Sequence, residues 1–297
     1  MSAALRARAA ALPPLVRGAL WMTLAALQFA AAAAAVRALS ATINVFEIAF
    51  LRCVFGVIVM TPWLARVGMA GVRTPRMRLY MQRAVFSGLA MFCWFGGLSL
   101  MPVAEATAVS FTTPLFGAIA GVFFLREPSS GRMWLTLLLG FAGALIMLRP
   151  GAGAFNPGAL LVIGSGLLIA GSAMIMKETA RADSPDLSAF YQAFLMLPLC
   201  LAPALFFWRW PTGEELLWAA GVGVFSTLAQ RCVARAYVAA DVSAVQPFDY
   251  TRLPFAVLLG LVLFGEVPDV WSGVGAAVIF ASSVIATRSR RRARAAG

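Results

Sequence analysis

The 297-residue chain is 61% hydrophobic and 12% charged, with a mean hydropathy of +0.86. An ordinary soluble domain is about half apolar and a quarter charged, so a soluble globular fold is excluded. Its 24 Lys and Arg outweigh 12 Asp and Glu for a formal charge of +12, and histidine is absent. That absence removes a Ser-His triad, the HExxH metal motif and imidazole acid–base chemistry together.

Apolar runs of about 16 to 23 residues recur roughly every 30 positions, long enough to cross a bilayer as helices. They predict an all-α membrane protein of ten transmembrane helices: 18–36, 45–65, 80–98, 106–125, 133–148, 158–176, 189–208, 216–238, 242–264 and 270–286. The first is too long for a signal-peptide core, and nothing after it resembles a required cleavage site, so it is expected to stay as a span. Cys53, Cys93, Cys200 and Cys232 all fall within spans. They form no zinc or iron–sulfur framework and are read as small apolar filler. Lys177, the single lysine, follows no glycine-rich loop, so a Walker A phosphate site is absent. Neither a metal nor a cofactor is expected, nor an enzyme, which would need a convergent carboxylate or cysteine cluster.

The basic stretch at 288–294 looks by composition like a nucleic-acid patch. Topology accounts for it better. With the N-terminus cytoplasmic, most Lys and Arg fall in inner loops such as 66–78 and few in outer ones, leaving Arg52, Arg83, Arg231 and Arg252 within spans. Both termini are therefore expected on the cytoplasmic side of the inner membrane, with lipid headgroups rather than nucleic acid as the partner of the tails.

The two halves echo each other at an offset of roughly 140 residues. Gly18-Ala19-Leu20 ending at Arg37 matches Gly158-Ala159-Leu160 ending at Lys177, and Ala49-Phe50 matches Ala189-Phe190. Val85-Phe86-Ser87-x-Leu89-Ala90-x-x-Cys93 matches Val224-Phe225-Ser226-x-Leu228-Ala229-x-x-Cys232, and Leu125-Arg126-Glu127 matches Phe264-Gly265-Glu266. Five spans per repeat is an odd number, so the halves must enter the membrane from opposite sides. The expected organisation is a tail at 1–17, a five-helix repeat at 18–149, an inverted repeat at 150–287 and a basic tail at 288–297.

The most informative stretch is Val245-Gln246-Pro247-Phe248-Asp249-Tyr250-Thr251-Arg252-Leu253-Pro254, which puts two charges and two prolines inside an apolar span. Each proline frees a carbonyl four residues earlier, and a lipid-exposed Asp249 or Arg252 would cost at least a few kcal/mol. Ala108-Val109-Ser110-Phe111-Thr112-Thr113-Pro114-Leu115-Phe116 has the same outline in the first half. Interrupted helices in corresponding places are expected at the centre of the molecule.

These features resemble the drug/metabolite transporter superfamily, EamA type. The resemblance is most specific in Ala229-Gln230-x-x-Val233-Ala234-Arg235-Ala236-Tyr237, running into Ala244 to Thr251, and in the segment from Phe111 to Glu127. It departs from the family pattern at Arg126, where glycine is usual. The resemblance implies a secondary carrier of small organic metabolites with a cavity lined by the first, third, fourth, sixth, eighth and ninth spans. It points first to YddG-type exporters of amino acids, aromatic and neutral ones included. Uptake of a nucleoside-like, vitamin or S-adenosylmethionine-type metabolite is the alternative, and a channel-like or structural membrane protein the reading of another class.

Candidate solute contacts are Gln28, Trp94, Ser110, Thr112, Thr113, Tyr191, Gln230, Asp249 and Tyr250. All but Asp249 are neutral polar or aromatic groups that equally suit interhelical hydrogen bonding or packing. Seven of the eight tryptophans fall near span ends and Trp94 does not, which suits a cavity wall or ordinary packing. Asp249 lies at the depth of Arg231 and Arg235 on the preceding helix, so a charge pair is expected there, with Arg252 as a further member. Gly117-x-x-x-Gly121 and Ala256-x-x-x-Gly260, next to Pro114 and Pro254, are expected to let the fourth and ninth helices pack closely. Glu127 and Glu266 are read as end anchors in preference to coupling groups.

Overall fold

The computed structural model describes residues 13–110, 112–113, 116, 131–148, 157–179, 183–239, 246–267, 269–271, 273–278 and 280–281. Those in regular structure are helical. Nine α-helices are bounded among the described residues: α1 Pro14–Leu39, α2 Val45–Val67, α3 Met77–Leu100, α4 Val103–Ser110, α5 Gly131–Leu148, α6 Pro157–Thr179, α7 Pro185–Phe206, α8 Gly213–Ala239 and α9 Arg252–Phe264. A 3-10 turn at Gln246–Thr251 runs directly into α9. Six of these helices, α1, α2, α3, α6, α7 and α8, are long and apolar enough to cross a membrane. Phe111, Pro114, Gly117, Gly121 and Glu127 lie outside the described residues, as do 1–12 and the tail at 288–297.

Local chemistry sets the ends. Pro14 opens α1, where the missing N–H costs nothing. Asn44 caps α2 by accepting from Phe46 N–H at 3.1 Å, and Ser184 caps α7 by accepting from Leu187 N–H at 3.2 Å. Gly265 ends α9 at φ +66°, a left-handed turn that glycine adopts without strain, and Glu266 N–H closes it onto Gly260 C=O at 3.1 Å. The helices outrun several predicted spans because charged first and last turns, such as Glu214-Glu215 in α8, depress hydropathy without ending the helix.

The packed helices form a closed ring in the order α2, α8, α1, α9, α4, α6, α3, α7 and back to α2, with α5 against α4. Large apolar side chains point away from it: Leu20, Leu138, Leu167, Phe206 and Val262 are all more than half exposed. In a bilayer that surface faces acyl chains, which are as apolar as leucine, so close association relies on small residues. Along α1, Ala25, Ala26, Ala30 and Ala33 are buried, and Ala25 packs on Ala229 and Cys232 of α8. At α2 and α8 the approach is closer still: a Cβ on Gly223 would sit 2.4 Å from Phe55 Cβ and 3.0 Å from Arg52 C=O.

The expected small-residue pair in the ninth span behaves differently from its prediction. Ala256 is fully buried in the main core, but the open side of Gly260 is taken by the Glu266 carboxylate, 3.0 Å from where a Cβ would stand. Gly260 therefore accommodates its own helix end rather than a neighbouring helix. Pro254 is exposed in the first turn of α9, where it breaks nothing. The interruption falls instead across Gln246–Thr251.

Candidate functional site

The polar residues of the ring gather at its two ends and in its interior. The near end is where α1 begins and α2 finishes; the far end is where α1 finishes. At the far end Arg37 donates to Leu98 C=O at 3.1 Å and Ser99 C=O at 2.8 Å, and its Nε lies 3.7 Å from Glu266 Oε1. The second oxygen of Glu266 accepts from Val103 N–H at 3.2 Å, satisfying a donor of the first turn of α4. One ion pair thus joins the far ends of α1, α3, α4 and α9. Glu266 is the anchor its position suggested; Arg37 was not singled out, although it sits in the last turn of an apolar helix, where a cation is favoured. Nearby, Arg209 pairs with Glu215 and donates to Thr42 C=O at 3.1 Å.

At the near end Asp183 accepts from Thr74 Oγ1 at 3.0 Å and from Tyr80 OH at 3.1 Å, and Arg76 pairs with Glu178 at 3.6 Å. Tyr191 donates to Val72 C=O, and its ring packs on those of Tyr80 and Phe190. Its place is this near-end aromatic cluster, where it also lines a cavity with Val72, Arg73, Thr74, Pro75 and Met77. Asp183→Ala leaves the hydroxyl of Tyr80, a residue 2% exposed, without this acceptor. The expected cost is about 1–3 kcal/mol in thermal unfolding, and Asp183→Asn, which keeps an acceptor oxygen, should lose less.

Of the expected charge set, Asp249 and Arg252 meet and the two arginines of α8 turn elsewhere. Arg231 Nε donates to Asp186 Oδ1 at 2.8 Å, and the Arg235 guanidinium stacks over Trp21 at 5.1 Å, so neither meets Asp249. Asp249 pairs with Arg252 across the junction of the 3-10 turn and α9, and Arg252 also lies 5.3 Å from the Phe29 ring centre. The reason is rotational: on α8, Arg231 turns toward the first turn of α7, where Asp186 stands. Thr251 Oγ1 donates to Phe248 C=O at 2.7 Å and stiffens the same turn.

Of the neutral candidates, Ser110 and Thr112 turn inward on their own backbone, donating to Thr107 C=O at 2.6 Å and Val109 C=O at 2.8 Å. Thr113 abuts Gly166 of α6, with Oγ1 2.8 Å from a Cβ position there. Trp94 is half-buried and packs against the main core. Gln28 Oε1 on α1 is enclosed without a hydrogen-bond partner among the described residues. So are Thr107 Oγ1 on α4 and Ser165 Oγ on α6, which the sequence reading passed over because single hydroxyls are common in spans. Gln230 does line a cavity, with Arg52, Gln192 and Thr227 from α2, α7 and α8. The side chain of Tyr250 lies outside the described residues.

A ring of lipid-facing helices with enclosed polar atoms and a broken segment at its edge defines a membrane transporter, and comparison with known proteins agrees. The chain belongs to the EamA-like transporter family, of the drug/metabolite transporter superfamily, whose family model matches it twice, over 16–149 and 156–288. Among similar curated proteins, a riboflavin transporter of Vibrio cholerae is 33% identical over 278 residues, covering 92% of this chain and 93% of the relative. A riboflavin transporter of Rhizobium johnstonii is 32% identical and covers 93% of each. An S-adenosylmethionine uptake transporter of Rickettsia bellii is 30% identical, covering 86% of this chain and 88% of the relative. A solved crystal structure, 21% identical, superposes with a TM-score of 0.70 over 92% of this chain, a likeness of fold.

Proposed function

We propose that this chain is an alternating-access carrier of the inner membrane, built as two inverted five-helix repeats with both termini cytoplasmic, that takes up riboflavin or a close flavin analogue. The carrying observation is the pair of riboflavin transporters matched over more than nine-tenths of both chains. Their names favour vitamin uptake over the amino acid export expected from the sequence. The S-adenosylmethionine uptake relatives, up to 30% identical over 86% of this chain, support a second reading in which an adenosyl compound is the solute.

Packing supports the repeat. Exchanging α1 with α6, α2 with α7, α3 with α8 and α4 with α9 maps the ring order onto itself. The exchange reaches single contacts: a Cβ on Gly97 of α3 would lie 2.5 Å from Val162 of α6, while Ala236 of α8 packs on Met22 of α1. Gly97 corresponds to Ala236 and Val162 to Met22 in the alignment of the halves. In inverted repeats such equivalence gives two interconvertible states around a central site.

The test is uptake by proteoliposomes. Labelled riboflavin should enter saturably and show counterflow when unlabelled riboflavin is preloaded. Uptake of labelled S-adenosylmethionine without riboflavin would shift the assignment to the second reading. Movement of amino acids, with neither of these carried, would defeat both.

A further inference from the structure

Two arginines in the interior of the ring have no carboxylate partner among the described residues. Arg83 on α3 is 5% exposed. It donates to Ser188 Oγ at 2.5 Å, to Met176 Sδ at 3.3 Å and to Gln192 Oε1, all neutral acceptors, and its Nε is enclosed without a partner. Arg52 on α2 donates to the thioether of Met91 at 3.2 Å, a weak acceptor. The ion pairs of the described residues join other groups and leave these two out. Burying an unpaired guanidinium in a membrane protein already costs several kcal/mol, so Arg83, bonded to a Gln192 that shares a cavity with the part-buried Arg52, calls for a countercharge.

The space for it is present. Arg52, Gln192, Thr227 and Gln230, with Ala189 and Ala193, enclose a cavity of about 10 Å³, room for one water-sized occupant. No acid lines it. Arg83 holds Gln192 by its amide oxygen, so the amide nitrogen is the group Gln192 has left to offer. A guanidinium, an amide N–H, a hydroxyl and a second amide make a set rich in donors, which suits an anion. Arg52 and Gln192 are also equivalent positions of the two halves, three residues after Ala49 and Ala189. In the inverted repeat proposed above, a site between equivalent positions would lie on the axis that relates the halves.

We infer that the cavity between α2, α7 and α8 is an anion subsite in which Arg52 binds one small anionic group, with Arg83 positioning Gln192 and adding a second positive charge. The space admits one atom-sized group, either a free anion such as chloride or one oxygen of a solute carboxylate that reaches in. The inference rests on the carrier reading above and divides its two alternatives, because riboflavin brings no carboxylate and S-adenosylmethionine does.

The experiment is thermal unfolding of the purified full chain, a binding readout that does not depend on transport. In one arm sodium chloride and sodium acetate are titrated against a sodium gluconate background; in the other, S-adenosylmethionine and its carboxyl methyl ester are added in gluconate. Saturable stabilisation by chloride or acetate identifies a free anion; stabilisation by S-adenosylmethionine and not by its ester identifies a solute carboxylate. Arg52→Gln should weaken the effective anion about tenfold to a hundredfold, the range for loss of one charged hydrogen bond, while Arg52→Lys should retain more. A wild-type protein indifferent to all four ligands overturns the subsite. So does a shift of equal midpoint in Arg52→Gln, and an Arg52→Gln protein too unstable to read is replaced by Gln192→Leu, from which the same weakening is expected.

Discussion

Gly223→Leu is expected to leave almost no folded protein. A Cβ at this position would already stand 2.4 Å from Phe55 Cβ, 3.0 Å from Arg52 C=O and 3.2 Å from Gly56 N. Two of those three are backbone atoms, so no rotamer change relieves the clash and α8 must move off α2. Overpacking typically costs about 1–3 kcal/mol, and a contact against backbone belongs at or above the top of that range. Gly221→Leu is the control two residues away: its Cβ would meet only Phe225 ring atoms, at 3.9 and 4.0 Å, which is ordinary contact. Monodispersity and unfolding temperature in detergent should separate the two variants widely. Equal behaviour would mean that α2 and α8 are not in close contact at this point.

Releasing the far-end tie should be the second large effect. Arg37 and Glu266 retain 28% and 19% side-chain exposure. Their coupling therefore lies between an exposed pair, worth under about 1 kcal/mol, and a buried one, worth about 3–5 kcal/mol when broken. Arg37→Gln also weakens the bonds to Leu98 and Ser99 C=O, so α1 loses its hold on α3 as well as on α9. Met101, 1% exposed at this end, reports the change when replaced by cysteine. Its modification by a membrane-impermeant maleimide should speed up about tenfold in Arg37→Gln, the size of a shift of about 1.4 kcal/mol. Adding Glu266→Gln to Arg37→Gln should add little, since coupled partners are not additive. Unchanged labelling would show that this pair does not keep the far end shut.

Much of the fold was legible in the sequence because hydropathy and helix length answer to the same thing, the thickness of the bilayer. The interruption before α9 was legible too, since Pro247, Asp249 and Arg252 have no ordinary place in a span. Partner choice was not. Depth along a helix is read from residue number, but the direction a side chain faces depends on how neighbouring helices are rotated. Asp249 and Arg231 therefore share a depth and take different partners. The surroundings of Tyr191 were hidden for a related reason: a tyrosine near the start of a span suits a cavity and an end cluster equally, and here it has both, packed on Tyr80 and lining a near-end cavity with Val72. Arg52 and Gln192 had a faint signal, as polar residues at matched positions of the two halves.

The lengths of α1 and α8 carry one more consequence. At 26 and 27 residues they extend about 39 and 40 Å at 1.5 Å per residue, against a hydrocarbon layer of about 30 Å. Upright, each sets its charged end turns, Arg17 and Arg37 on α1 and Glu214-Glu215 on α8, in the headgroups; a thinner hydrocarbon layer is met by leaning, and because the two lie side by side they must lean together. Lipid composition then becomes a mechanical input: thinner membranes lay this pair flatter, thicker ones stand it up, and the neighbouring α2 and α9 are carried along.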